Sequence, residues 1–433
     1  MIAQIIFLIA FVAAVIIFTL QIKKILRNIN LGKNIVRNDR PKERWFTMAK
    51  VAMGQSKMVV RPVAGIMHLF VYVGFIIINL EVLEIIIDGL FGTHRIFAFL
   101  GGLYNFLIAS FEILALLVLV GVIVFFARRA ILGLKRFNGV EMKAWPKADA
   151  MYILGIEVLL MSAFLTMNAA DYKLQLLGSA HYTIAGSFPI SQYLINVLPD
   201  SEASLIFLER ACWWFHIIGI LAFLNYLPFS KHLHIIIAFP NTWYSNLDAK
   251  GRFSNMQSVT NEVKAMLDPT FSPPAATEIG RFGAKDIQDL NWVQLMNAYS
   301  CTECGRCTSV CPASQTGKLL SPRKIMMDTR DRLEEVGKNT NKHGVGYDDG
   351  KTLLDDFITR EEIWACTTCN ACTEACPINI DPLSIIVDLR RYAVMEESNV
   401  AGSLNAMFSN VENNGAPWKY SPADRLNWAN KID

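Results

Sequence analysis

The sequence predicts an all-α chain: a bundle of five membrane-spanning helices, followed by a small α-helical domain built around eight cysteines. Three observations carry that expectation. Five predominantly apolar stretches of spanning length lie before residue 239, the chain then turns polar, and eight of the nine cysteines lie after residue 300. The expected organisation is a membrane domain over 1–239, a connector over 240–290, a cysteine domain over 291–397 and a tail over 398–433.

Residues 2–20 form an uncharged run about as long as a helix needs to cross a hydrocarbon core. It has no basic leading segment and no Ala-x-Ala site, and Lys23, Lys24 and Arg27 follow it directly, so it reads as an uncleaved first span. Four more spans are expected at 63–87, 96–127, 151–170 and 205–229, the last extending toward Phe239. Lipid offers the backbone no hydrogen-bond partners, so each must be a helix. The first and third connections are rich in Lys and Arg, whereas the second and fourth carry few. The positive-inside rule then places the N-terminus outside and the cysteine domain in the cytoplasm, in a multi-pass protein of a bacterial or archaeal cytoplasmic membrane. Membrane lipid is its expected surroundings. The net charge of +3 gives no case for nucleic acid, and no nucleotide-binding loop is present.

The connector contains Pro240, Pro269, Pro273 and Pro274 and shows no chemistry of its own. Beyond it comes Cys301-x2-Cys304-x2-Cys307-x3-Cys311-Pro312, and the pattern repeats at Cys366, Cys369, Cys372, Cys376 and Pro377. Three thiolates in so short a run wrap a [4Fe-4S] cubane, and in two-cluster ferredoxins the fourth Cys of each run reaches across to the other cluster. Cys301, Cys304, Cys307 and Cys376 are therefore expected to hold one cluster, and Cys366, Cys369, Cys372 and Cys311 the second. Zinc sites favour paired ligands across a longer spacer, and disulfides are out of place on the reducing side of the membrane. Ser321-Pro322 and Asp381-Pro382 are helix starts, each an N-cap followed by Pro at the first helical position. The first helix is expected to run to about Val336 and the second to about Glu396, which makes this an α-helical ferredoxin with a Gly- and Asn-rich loop over 337–350. The tail carries Trp418, Tyr420 and Trp428, which serve either a docking partner or packing on its own domain.

Ligating side chains within spans are expensive and default to a functional hypothesis. His68 lies near the cytoplasmic end of the second span, His216 in the outer half of the fifth, and His232 and His234 at its cytoplasmic end. Imidazole is the common axial ligand of haem iron, and the depths of His68 and His234 suit one haem b. His216 and His234 are eighteen apart, so on one continuous helix they would share a face. His216 has three readings: ligand of a second haem, partner of His68 in a single haem, or lining of a quinone pocket. The outer half of the second span offers Ile78 and Asn79 but no His, which leaves His94 and His181 as partners only if their loops fold inward. Glu81, Glu84, Glu112 and Glu157 either carry protons beside a quinone or bond between helices. No side chain is expected to be catalytic in its own right.

The span layout with His68, His216 and His234 resembles the membrane cytochrome b subunit of respiratory nitrate reductase and its relatives in heterodisulfide reductase. The stretch from Cys-Thr-Glu-Cys-Gly-Arg-Cys at 301–307 to Leu389-Arg-Arg is similar to the iron-sulfur part of the catalytic heterodisulfide reductase subunit. Fused versions resemble electron transfer flavoprotein:menaquinone oxidoreductases. In the cytochrome b family the fifth helix supplies one ligand to each of two haems and the second helix the other two, and here that helix has a single His. The fused relatives continue into Cys-Cys-Gly domains, whereas no cysteine follows Cys376 here. The resemblance implies a quinone-linked oxidoreductase subunit of a respiratory chain. Two [4Fe-4S] clusters and one or two b haems would pass electrons between menaquinone, or another exchangeable quinone, and a cytoplasmic partner bearing Cys-Cys-Gly domains or flavin. The alternatives are an electron transfer flavoprotein:menaquinone oxidoreductase component and a non-catalytic iron-sulfur membrane anchor or redox sensor.

Overall fold

The computed structural model describes residues 1–273 and 280–431, and no strand forms among them. Residues 274–279 of the expected connector, Pro274 included, and the last two residues of the expected tail lie outside that description. Among the described residues five helices are long and apolar enough to cross a membrane: α1 (Ile2–Ile29), α2 (Pro62–Phe91), α3 (Gly102–Ala130), α4 (Trp145–Leu176) and α5 (Glu202–Tyr226). Each is apolar on nearly every side, as a helix must be when one face meets its neighbours and the other meets lipid. The bundle core runs through Ile78, Ile108, Phe111, Phe164 and Ile217.

The chain does not continue α5 toward Phe239 as one helix. Leu227–Phe229 and Lys231–Leu233 are 3-10 turns, and a separate helix α6 (His234–Trp243) begins at His234. Pro228 explains the break, because it has no N–H to give to the preceding turn and its ring crowds the carbonyl there. His216 and His234 therefore lie on different helices, and their spacing of eighteen has no helical meaning.

The connections after α2 and α4 fold in against the bundle. Arg95, in the loop after α2, is buried against Asp171 Oδ2 at 2.5 Å, the Tyr104 hydroxyl at 3.0 Å and Asn168 Oδ1 at 3.2 Å. Glu84 accepts from Tyr104 and from the Phe97 amide, and Glu112 accepts from the Ile190 and Ser191 amides. Both carboxylates thus serve the packing of loops onto helices. Glu81 keeps one carboxylate oxygen buried and unpartnered.

The cysteine domain is built on α7 (Trp292–Ser300), α8 (Pro322–His343) and α9 (Pro382–Met395). Asn291 and Gln294 form a capping box at the start of α7, Ser321 caps α8, and Asp381 caps α9. α8 runs two turns past Val336, to His343, and Gly337 lets it approach α1 closely, since a Cβ there would collide with the Asn28 side chain. The domain shares one hydrophobic core with the ends of the bundle: Ile25, Ile29, Leu233 and Ile237 pack with Leu295, Ile325 and Ile386. The last helix, Gly402–Asn414, buries none of its residues.

Candidate functional site

The two cysteine runs fold as near copies of one another. Cys301 ends α7, and Cys366 ends the short helix Arg360–Ala365, which opens on a Thr359–Glu362 capping box. In each run the residue after the intervening Thr has positive φ, Glu303 at 55° and Thr368 at 57°. Two residues on, the left-handed conformation recurs at Gly305 (70°) and Asn370 (59°), each opening a five-residue helix. Gly suits the first position because a Cβ would come within 2.6 Å of the Arg323 guanidinium and 2.9 Å of the Arg136 carbonyl. Helices Arg306–Val310 and Ala371–Ala375 pack on one another, and each run ends in Cys-Pro.

This doubling brings the thiols together in two groups. Cys301, Cys304, Cys307, Cys372 and Cys376 line one cavity. Cys311 and Cys369 are the thiol neighbours of Cys366, which in turn neighbours Cys372. Among the described residues no three His, Cys, Asp or Glu groups converge on a single ion. Instead, the thiols of the first run gather with Cys372 and Cys376 of the second around one cavity, which supplies the four thiolates a four-iron cubane needs, one for each corner iron. Burial pushes the Cys301 and Cys372 thiols up to about 12 and Cys376 up to about 11, so taking up metal must displace their protons. Backbone amides already point at sulfur, Thr368 N–H to Cys366 Sγ at 3.4 Å and Ile380 N–H to Cys376 Sγ at 3.3 Å. Such bonds stabilise thiolate charge and raise the potential of a bound cluster.

The histidines fall into two sets. The ring centroids of His68 and His234 are 6.4 Å apart with the planes inclined at 42°, and the His232 ring centroid lies 5.6 Å from that of His234. Two imidazole–metal bonds of about 2 Å, with about 1 Å from each nitrogen to its ring centre, would span about 6 Å, so the ring separation matches that of a shared metal ion. His234 Nδ1 bonds the Lys231 carbonyl at 2.9 Å, which directs its Nε2 away from the backbone, while His68 Nδ1 and His232 Nδ1 are buried without partners. His216, by contrast, packs on Phe164 at 5.7 Å and bonds the Leu160 carbonyl through Nδ1 at 3.1 Å. His94 packs on Tyr182 and reaches toward Asp171, and His181 is exposed.

One group of residues had no motif to announce it. Lys231 is buried, and its Nζ bonds Glu303 Oε2 at 2.6 Å and the Pro146 carbonyl at 2.7 Å, with Asp149 at 3.6 Å. Arg330 from α8 takes the other Glu303 oxygen at 2.8 Å. Burial alone would push the Glu303 carboxyl up, but Lys231 and Arg330 outweigh it and hold the group below its usual range. Glu303 lies between Cys301 and Cys304, whereas Lys231 precedes His232 and His234. Arg306, between Cys304 and Cys307, bonds the Lys57 and Met58 carbonyls of the first connection and lies within electrostatic range of His68.

Residues 297–380 match the family model of a 4Fe-4S dicluster domain, so this part of the chain is of the iron-sulfur, electron-transferring class. The chain is 29% identical to the probable iron-sulfur-binding oxidoreductase FadF of Bacillus subtilis, over 98% of this chain and 60% of FadF. It is 27% identical to the EtfAB:quinone oxidoreductase of Syntrophomonas wolfei, over 91% of this chain and 55% of that protein. A probable membrane-anchored ferredoxin of Chromohalobacter salexigens is 33% identical over 35% of this chain and 24% of its own length. The chain thus spans less than two thirds of the length of each of these relatives. No solved structure matches it.

Proposed function

We propose that the chain is a membrane electron-transfer subunit linking a cytoplasmic redox partner to the quinone pool. Cys301, Cys304, Cys307 and Cys376 hold one [4Fe-4S] cluster, Cys311, Cys366, Cys369 and Cys372 hold the other, and His68 and His234 hold a haem b. When bound, these groups supply one-electron transfer; the protein supplies position, burial and hydrogen bonding. The observation that carries the reading is Lys231. Its carbonyl orients His234 while its ammonium grips Glu303 inside the first cysteine run, so the two candidate centres share one rigid support. Five spans put the N-terminus and the cysteine domain on opposite faces, and the basic connections favour the cytoplasm for the latter. The likeness to the EtfAB:quinone oxidoreductase favours a flavoprotein as the soluble partner and a quinone as the membrane one.

A reduced-minus-oxidised spectrum of the purified protein, with haem quantitation and an iron count, tests this. One b haem beside roughly eight non-haem irons is expected, four for each cubane. Eight irons without haem would overturn the haem assignment and favour an iron-sulfur anchor.

A further inference from the structure

A cavity of about 470 Å³ lies where the cytoplasmic ends of α1 and α4 and the turns after α5 meet α8. It is separate from the thiol-lined cavity, and nothing described so far fills it. Its volume falls in the range of small-molecule sites. Ile25, Leu233 and the half-exposed rings of Trp145 and Phe229 give it an apolar side at the level where aromatic residues mark the membrane–water boundary. Its polar side holds the Lys231–Glu303–Arg330 group, Asp149, and the Tyr299 hydroxyl, which accepts from Asn28 at 2.9 Å and donates to Glu334.

Two features decide what class of molecule it suits. Five cationic side chains line it against four carboxylates, so it offers little net attraction to a free anion or cation. Its walls nevertheless belong to both candidate redox centres, because Glu303 lies within the first cysteine run and the Lys231 carbonyl orients His234. An uncharged ring with polar oxygens at its edges and an apolar tail in the bilayer matches that combination of interfacial entrance, apolar wall and hydrogen-bond donors.

We propose that this cavity binds the quinone ring at the cytoplasmic surface, with Lys231 among its donors. The proposal rests on the quinone-linked reading above and gives that reading a place.

The test titrates the full-length, cofactor-loaded protein in detergent with 2-heptyl-4-hydroxyquinoline N-oxide, a fluorescent quinol analogue whose emission is quenched on binding. Saturable binding in the unaltered protein is expected, weakened at least tenfold by Lys231→Met. Because Lys231→Met also disturbs a buried ion pair, Gln21→Trp provides a second variant that narrows the mouth from α1 and leaves the ion pair intact. It is expected to weaken binding to the same degree at unchanged iron content and unchanged visible spectrum. Binding by the unaltered protein that neither variant weakens would overturn the cavity assignment alone. A phospholipid retained in native mass spectrometry and lost from Gln21→Trp, with analogue binding intact, would overturn it in favour of a lipid site. Absence of binding by the unaltered protein would count against the quinone-linked reading itself.

Discussion

Cys311 and Cys376 are the residues in which the doubled fold has its sharpest consequence. Each ends a run on one half of the domain, yet Cys376 faces the cavity of the first run and Cys311 neighbours Cys366 in the second. A Cys311→Ala variant is therefore expected to damage the centre of the second run and spare that of the first. Electron paramagnetic resonance of the reduced protein checks this, since loss confined to the first-run signal would show that each run serves its own cluster. These residues were legible in the sequence because ligation spacing is local. Lys231 and Glu303 were not, because 72 residues separate them and neither belongs to a pattern. Arg95 was hidden for the same reason, because its buried partner Asp171 lies 76 residues further along the chain.

The elements repeat that contrast between local and distant information. Hydropathy found all five spans and capping chemistry found the starts of α8 and α9, but an apolar run from 205 to 239 could not show where one helix ends and the next begins. Pro228 makes that break, and the break turns His234 toward His68. Pro228→Ala should let α5 propagate, move His234 out of register and remove most of the b-type absorbance while iron content stays constant. Retention of the full absorbance would show that the turn does not position the ligand. A second element-scale expectation concerns the loop after α8. Asp349 bonds Arg332 Nη1 at 2.7 Å, and that guanidinium holds its carboxyl below the usual carboxylate range. A depressed folded-state value means the tie is fully present above the unfolded value near 4 and is lost as pH falls through the folded one. The hydrogen-exchange protection of residues 344–352, taken relative to intrinsic rates, should accordingly fall below about pH 4, and Asp349→Asn should show that lower protection at neutral pH.

At the scale of the molecule, the cysteine domain is seated on the bundle by buried polar ties as well as by the shared core. Arg323, 1% exposed, bonds Glu141 Oε1 at 2.7 Å from the third connection; Arg61 reaches Ser309 at 2.6 Å, and Asn241 donates to the Ile378 carbonyl at 2.7 Å. Removing one partner of a buried ion pair leaves the other charge stranded, so Arg323→Ala should cost about 3–5 kcal/mol in chemical denaturation. The paired change Arg323→Leu with Glu141→Leu should recover most of that loss. Equal losses in the single and paired variants would mean that the pair does not couple the two parts. Such seating was invisible in the sequence, which described a linker and two units without saying how firmly they meet.

The proposed exchange of fourth thiols also bears on how the protein is made. The first run leaves the ribosome with only three of the thiols gathered around its cavity, and Cys376 is synthesised 69 residues after Cys307. At ordinary elongation rates that is a wait of about 3–14 s. During this interval the nascent first site, if exchanged ligation holds, has an open corner, and the second begins with no thiol but Cys311. On that ligation neither set of four thiols is complete before the other is nearly so, and a chain interrupted anywhere before Cys372 would leave both sites short of a thiol.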